Sequence, residues 1–295
     1  MDIRAILMGV AFAVMWSSAF TSARIIVQDA PPLSALAVRF LISGLLAVGI
    51  AALLGQRARL TRAQWGATVL FGICQNALYL GLNFVAMQTI EASLAAIIAS
   101  SMPLLVAAAN WVVFGERVPA LGIFGLFAGF AGVAIIMGDR LSAGVDGFGL
   151  TLCLMGVLAL TFATLAVRGA SSGGNVLMIV GVQMLIGSAA LFPAGLALES
   201  WQVTWSWQLV AAFAYTTLVP GLAATFTWFV LVRRIGATRA ATFHFLNPFL
   251  GVAIAAALLG EALGAGDLLG VAVIMAGILA VQISKQAKAA EAAPR

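Results

Sequence analysis

Ten apolar stretches, each of roughly 20 residues, are separated along this sequence by short segments rich in charge, glycine or proline. A helix of about 20 residues spans the hydrocarbon core of a bilayer, and in lipid every backbone polar group needs a partner within the chain. Membrane strands would instead alternate over about ten residues. The sequence therefore predicts an all-α integral membrane protein with ten transmembrane helices. The stretches lie at about 4–27, 33–54, 64–88, 91–114, 119–138, 147–167, 175–198, 207–232, 236–259 and 264–284.

The composition indicates that lipid, rather than water, is the main solvent of this chain. Hydrophobic residues make up 63% of the sequence and charged residues only 8%, whereas a soluble domain carries about 25% charged residues. The net charge of +5 does not predict nucleic-acid binding, because the basic residues are spread over the segments between the apolar stretches. Cys74 and Cys153 lie inside apolar stretches without a CxxC motif, so no disulfide, metal or cofactor is expected. The expected partners are the lipid bilayer and a small-molecule substrate.

The distribution of the 15 Lys and Arg residues predicts the orientation of the chain. With ten spans, 12 of them fall on the side of both termini, Arg24 and Arg140 fall on the other side, and Arg39 lies within the second stretch. Because basic loops stay in the cytoplasm, both termini are predicted to be cytoplasmic, in a bacterial inner (plasma) membrane. The first stretch lacks a convincing cleavage site, so a retained span is expected rather than a signal peptide. The 12 residues are Arg4, Arg57, Arg59, Arg62, Arg117, Arg168, Arg233, Arg234, Arg239, Lys285, Lys288 and Arg295.

An internal repeat relates the two halves of the sequence. A shift of 145 residues aligns residues 90–136 with residues 235–281 without gaps, with 13 identities in 47 positions. Shared apolar composition inflates such a score, but several identities are uncommon residues in register. They include Pro103/Pro248, Gly115/Gly260, Glu116/Glu261, Gly125/Gly270 and Gly132/Gly277.

The repeat predicts two five-helix domains of opposite orientation, at residues 1–140 and 141–295. Five spans per copy is an odd number, so the second copy crosses the membrane in the opposite sense. Inverted repeats of this kind are a recurring construction of secondary transporters, in which the two halves exchange conformations. The alternative is a duplicated scaffold without a transport role.

The sequence resembles the drug/metabolite transporter superfamily, in its ten-helix branch with a duplicated five-helix domain. The resemblance covers about residues 5–284, and it depends on the order of several short motifs together with the repeat. It implies a metabolite exporter, most similar to exporters of amino acids, including aromatic or hydrophobic ones. The residues that carry it are Trp16-Ser17-Ser18, Pro31-Pro32, Arg39, Asn83 to Ala86, Pro103, Pro248, Glu116 and Glu261.

Polar residues inside the third stretch are candidates for the substrate path. Asn76, Tyr79 and Asn83 follow a spacing of i, i+3 and i+7, which places them on one helical face. Amides and a phenol can hydrogen-bond the ammonium and carboxylate groups of an amino acid without a fixed charge. The alternative is interhelical hydrogen bonding that only holds the bundle together.

The ninth stretch carries the single histidine, His244, close to Asn247-Pro248. A proline removes a backbone donor and frees a carbonyl of the preceding turn, so Pro248 and its counterpart Pro103 are candidate hinges or binding points. A simple packing kink is the alternative. His244 can couple transport to protons, but a lone histidine in a bundle is more often a structural residue.

The remaining path candidates occupy corresponding places in the two repeats. Trp16 and Ser17 in the first stretch correspond to the region of Thr164 in the sixth, and Trp228 corresponds to Asn83. Ser100 precedes Pro103. For a tryptophan, the alternative is an anchor at the lipid interface.

Three further features have structural explanations. Glu116 and Glu261 are expected to bond to loops or helix N-termini. Arg39 is expected to extend its head to the membrane interface in preference to holding a substrate carboxylate. The glycines of the run Gly125–Gly129 have the small-xxx-small spacing, which lets helix five pack closely against another helix or another protomer.

The sequence as a whole predicts a secondary transporter that exports small metabolites, with amino acids as the expected substrates, by alternating access through a central cavity. Helices one to four and six to nine are expected to enclose the cavity, and helices five and ten to stabilise the bundle. The sequence contains no P-loop, no HExxH motif and no acidic residue in the first stretch, which disfavours ATP-driven transport, an intramembrane enzyme and a small multidrug mode. The alternatives are a multidrug or other metabolite carrier and a channel-like or regulatory membrane protein. A monomer or homodimer is expected.

Overall fold

The structure, a computed structural model, describes residues 3–57, 59–166 and 175–291. Within these residues ten helices are long and apolar enough to cross a membrane, which confirms the predicted fold class and span count. Arg168 and Arg295, two of the basic residues used to predict the orientation, lie outside the described residues. The helices are α1 (Ile3–Asp29), α2 (Pro32–Leu53), α3 (Arg62–Ala86), α4 (Ala92–Val112), α5 (Ala120–Ser142), α6 (Gly147–Ala166), α7 (Val176–Leu198), α8 (Trp207–Ile235), α9 (Ala241–Leu259) and α10 (Ala265–Glu291).

Local sequence explains where several helices begin and end. The Thr61 hydroxyl accepts from the Gln64 N–H while the Gln64 side chain accepts from the Thr61 N–H, a capping box that starts α3. Just beyond the C-terminal ends of α4 and α9, Gly115 and Gly260 adopt φ values of 66° and 68°. Only glycine adopts this left-handed conformation without a steric cost, which explains why both repeats keep a glycine there.

Departures from regular α-helix occur at corresponding positions in the two repeats. A π-helical segment interrupts α3 at Gly72–Tyr79, and another interrupts α8 at Val219–Ala223. In α4, two helical segments meet at Ser101, and α9 begins with a 3₁₀ segment, Ala241–Leu246, before its α-helical part. Pro103 and Pro248 each occupy the first turn after that change, where the missing proline N–H breaks no helical hydrogen bond.

The helices form two compact units, and each unit takes helices from both sequence repeats. Unit 1 comprises the described parts of Met1–Thr21, Glu91–Gly147 and Ala224–Arg295. Unit 2 comprises the described parts of Ser22–Ile90 and Phe148–Ala223. Unit 1 thus contains α4, α5, α9 and α10, unit 2 contains α2, α3, α6 and α7, and α1 and α8 contribute to both.

In unit 1 a seam of glycines lets α5 and α10 pack backbone to backbone. A Cβ on Gly125 would lie 2.7 Å from the carbonyl oxygen of Gly277, and a Cβ on Gly132 would lie 2.7 Å from that of Gly270. The 145-residue shift converts one of these contacts into the other, so the pairing obeys the internal symmetry. Gly129 packs against Leu104 of α4. The small-residue run of α5 therefore serves contacts with other helices of the same chain.

In unit 2 the corresponding close pair is α2 and α7. A Cβ on Gly44 would lie 3.0 Å from the carbonyl oxygen of Gly181, and the Ser188 hydroxyl donates to the Ala37 carbonyl at 2.8 Å. Together with α5–α10, and with α4–α9 in unit 1, this pair joins equivalent helices of the two repeats. Packing between equivalent helices therefore positions the helices that carry the polar side chains.

Candidate functional site

An aromatic cluster in unit 1 contains three of the predicted path residues. Its members are Phe12 and Trp16 of α1, Trp228 of α8 and His244 of α9. The ring centroid of Phe12 lies 4.8 Å from that of Trp228 and 5.7 Å from that of Trp16. The His244 ring lies 5.1 Å from Trp228 and edge-on to Phe12 at 5.4 Å. These separations are typical of interacting aromatic rings, so three helices meet around one set of side chains.

Polar groups continue from the histidine of this cluster. The Asn247 Nδ2 lies 2.9 Å from the His244 Nδ1, and the Ser17 hydroxyl lies 3.5 Å from both the carbonyl and the side-chain oxygen of Asn247. An amide nitrogen only donates, so Nδ1 of His244 accepts and the ring proton of the neutral histidine is on Nε2. The bond to Asn247 therefore sets the tautomer and leaves Nε2–H as a donor.

Burial differs between the rings and the polar groups of this region. Phe12, Ser17 and Asn247 are buried, whereas Trp16, Trp228 and His244 are only partly buried. The partly buried rings offer π faces that bind apolar side chains or ammonium groups. The cluster itself contains no carboxylate, so its chemistry suits a neutral or zwitterionic solute.

The predicted polar face of α3 lies in unit 2, and its side chains are buried against neighbouring helices. The Asn76 Nδ2 donates to the Gln183 carbonyl of α7 at 2.9 Å. The Asn83 Nδ2 donates to the Tyr79 carbonyl one turn earlier at 2.8 Å, and Gly156 of α6 packs against both side chains. For Asn76, this contact is the interhelical hydrogen bond that the sequence left open as the alternative to a path role.

The hydroxyls of the other two path candidates donate within their own helices. Ser100 donates to the Ala96 carbonyl at 2.7 Å, and Thr164 donates to the Leu160 carbonyl at 2.8 Å. Bonds of this type satisfy a hydroxyl proton inside a membrane helix while leaving its oxygen available as an acceptor. Ser100 belongs to unit 1 and Thr164 to unit 2.

The structure differs from the sequence analysis at two residues, Phe12 and Arg39. Phe12 is a central ring of the aromatic cluster, and its position one turn before Trp16 was the available signal. Arg39 is only 6% exposed, whereas a head that reaches the membrane interface would be open. The snorkelling prediction for Arg39 is therefore wrong: α2 buries this arginine inside unit 2.

The repeat singles out two acidic residues, Glu116 and Glu261, and the contacts of Glu261 are defined in the structure. The Glu261 carboxylate accepts from the backbone N–H groups of Ala92 at 2.8 Å and Ser93 at 2.9 Å, at the start of α4. This contact confirms the structural role predicted for Glu261, because a carboxylate at a helix N-terminus satisfies donors that have no partner within the helix. Glu116 also has an interaction in the structure.

Comparison with known proteins identifies the class of this molecule. The sequence model of the EamA-like transporter family matches twice, at residues 3–138 and 147–283. Bacillus subtilis (strain 168) has an "Uncharacterized transporter YvbV" that is 25% identical over 280 residues, or 95% of this chain and 92% of its own. Escherichia coli (strain K12) has an "Uncharacterized inner membrane transporter YedA" that is 27% identical over 291 residues, or 95% and 91% of the two chains.

A solved crystal structure shares the fold. It superposes with a TM-score of 0.66 at 22% identity and covers 98% of this chain and 100% of its own. The double family match also confirms the resemblance and the duplication that the sequence indicated. The chain therefore belongs to the EamA-like transporter family of drug/metabolite transporters, as a membrane transporter with two EamA repeats.

Proposed function

We propose that this transporter exports amino acids, in particular aromatic or hydrophobic ones, as a secondary carrier that works by alternating access. The observation that carries the proposal is the aromatic cluster with the adjacent Ser17–Asn247–His244 chain. Its rings match an apolar side chain or an ammonium group, and its amide, hydroxyl and imidazole groups supply neutral hydrogen-bond partners. A zwitterion with an apolar side chain presents the complementary groups.

The distribution of acidic residues supports facilitated export driven by the solute gradient. In the described helices, acidic residues lie in the first or last turns, as Asp29, Asp139 and Asp267 do. A proton relay through a membrane span generally uses acidic or histidine side chains at depth. His244 is the remaining candidate for such a relay, so a proton-coupled mechanism predicts that its loss removes the response to a pH gradient.

We further propose a bacterial inner membrane location with both termini in the cytoplasm. The charge asymmetry of the loops supports this orientation. Reporter fusions before Ala5 and after Lys285 test it, because a cytoplasmic reporter is expected to be active at both ends. Reporters active on opposite faces would remove the inverted topology and, with it, the basis of alternating access.

Counterflow in proteoliposomes tests the transport proposal. Vesicles loaded with an unlabelled amino acid are expected to accumulate labelled amino acid transiently, with saturation and with stimulation by solute on the trans side. Leucine, phenylalanine and tryptophan are the first solutes to measure. Flux that rises linearly with concentration would instead indicate a channel, and no flux of any tested metabolite would refute the proposed function.

A further inference from the structure

Arg39 is a buried charge within a membrane-spanning helix. It lies seven residues after Pro32 in a helix of 22 residues, about 10 Å from the helix start at 1.5 Å per residue. Arg39 is only 6% exposed, so protein atoms surround its side chain. A charged residue in such a place is costly and usually marks a functional site, so the identity of its counter-charge is the central question.

The described part of the protein does not supply that counter-charge. The ion pairs among the described residues join Arg140 to Glu91 and Asp267, and none of them involves Arg39. The helix that carries Arg39 contains no acidic residue. Within the described residues the Nε of Arg39 has no hydrogen-bond partner, although the guanidinium lies 5.1 Å from the centre of the Phe40 ring. A buried donor without a partner is unfavourable unless a ligand accepts its hydrogen bond.

The surroundings of the guanidinium offer a second donor for an anion. Ser43 lies one turn after Arg39, on the same face of α2, and its hydroxyl makes only a long 3.4 Å contact with the Thr217 carbonyl. Facing both residues is Gly221, in the π-helical segment of α8 that contains Pro220. A Cβ at position 221 would lie 3.5 Å from Nη2 of Arg39 and 3.4 Å from the Ser43 hydroxyl, so both donors face the same glycine, which places no side chain against them.

We propose that Arg39 binds the carboxylate of the transported solute, with Ser43 as a second donor. The proposal rests on the proposed carrier function and names the substrate class of that carrier as carboxylate-bearing. A guanidinium presents several N–H groups in a planar fork that matches a carboxylate, and charge-assisted bonds of this type are the strongest of their kind. The same guanidinium rejects solutes that lack the anionic group, because they leave the buried charge unpaired.

The first experiment measures the preference of the wild-type protein with matched solutes. Leucine and phenylalanine are compared with leucinamide and phenylalaninamide, as stabilising ligands of the purified protein in thermal unfolding and as competitors in counterflow. The amides are expected to require about 10- to 100-fold higher concentrations than the acids, the range that loss of a charge-assisted hydrogen bond gives. Equal potency of acid and amide in both measurements would overturn the assignment.

The second experiment assigns the preference to Arg39. Arg39→Gln is expected to equalise the acid and the amide, and Arg39→Lys to keep part of the preference because the charge remains. Arg24→Gln is the matched control: Arg24 belongs to the same unit and donates to the Met87 carbonyl, so its loss removes a charge but should keep the preference. An Arg39→Gln protein that folds and still discriminates would overturn the assignment, and if this variant does not fold, the wild-type comparison decides alone.

The two measurements also separate this inference from the proposed function. Stabilisation by the acids without counterflow would refute the carrier proposal while supporting the carboxylate site. Counterflow with equal tolerance of the amides would support the carrier and refute the role of Arg39. Neither stabilisation nor counterflow with any solute would refute both.

Discussion

Replacing Gly277 by alanine tests the glycine seam between α5 and α10. A Cβ at this position would lie 2.6 Å from the carbonyl oxygen of Gly125 and 2.6 Å from the amide nitrogen of Gly129, whereas ordinary contact begins at 3.4 Å. Both atoms are backbone, so no side chain can rotate away. The two helices must therefore separate locally by about 0.8 Å, a gap that forfeits a quarter to a half of each dispersion contact across it.

The expected cost is about 1–3 kcal/mol, the usual range for overpacking a well-packed interface. The assay is thermal unfolding of the purified protein in detergent, where this cost corresponds to a decrease in Tm of about 2–10 °C. Gly132→Ala should behave similarly, because its Cβ would lie 2.7 Å from the Gly270 carbonyl. Gly138→Ala, in the same helix with nothing within 4 Å of its Cβ, is the control and should not destabilise the protein. A Gly277→Ala protein as stable as Gly138→Ala would refute the seam.

Three further predictions concern side chains. Glu261→Ala should lower the stability by about 1–2 kcal/mol, since two N–H groups at the start of α4 lose their acceptor, and the repeat predicts a similar loss for Glu116→Ala; thermal unfolding of both variants checks this. Arg140→Gln should cost about 1–3 kcal/mol, because it leaves the buried carboxylate of Asp267 and the partly exposed one of Glu91 without their cation, and a guanidinium chloride series that leaves the midpoint unchanged would contradict it. Trp228→Ala should raise the concentration of leucine or phenylalanine that half-saturates counterflow about tenfold, because a large aromatic contact is lost. Trp205→Ala removes an exposed ring and should leave counterflow unchanged.

The sequence predicted the helices well and their packing partners poorly. Span lengths follow from apolar composition, so the third stretch, expected at 64–88, is observed at Arg62–Ala86. In contrast, every helix of a membrane protein is apolar on most faces, and periodicity then does not reveal which face meets which neighbour. The pairing of α2 with α7 and of α5 with α10 therefore needed coordinates, although the glycines that make the second pairing possible were visible as repeat identities.

The contacts of polar side chains were predictable for Glu261, which the repeat singled out and which caps a helix N-terminus as expected, but not for Asn76 or Arg39. Trp16, Trp228 and His244, which the sequence analysis named as path candidates on three different helices, share one aromatic cluster with Phe12, and their place in a substrate path stays a prediction. The partner of Asn76 is a backbone carbonyl of Gln183, which no sequence pattern distinguishes from any other carbonyl. Likewise, the sequence analysis did not predict the burial of Arg39 or the π-helical segment of α8 that lies beside it.

Comparison of the two repeats shows which residues both copies share, and Arg39 is not among them. The uncommon residues that the 145-residue shift preserves include the glycines of the α5–α10 seam, the prolines Pro103 and Pro248, and the glutamates Glu116 and Glu261, of which Glu261 caps the start of α4. Under the same shift Arg39 corresponds to Met184, His244 to Ala99, and Asn83 to Trp228. An arginine required by the helical frame would be expected in both α2 and α7, because these helices are equivalent and pack on each other. Its presence in one repeat only is expected for a group that recognises an asymmetric solute, whereas conformational exchange between the repeats needs a symmetric frame.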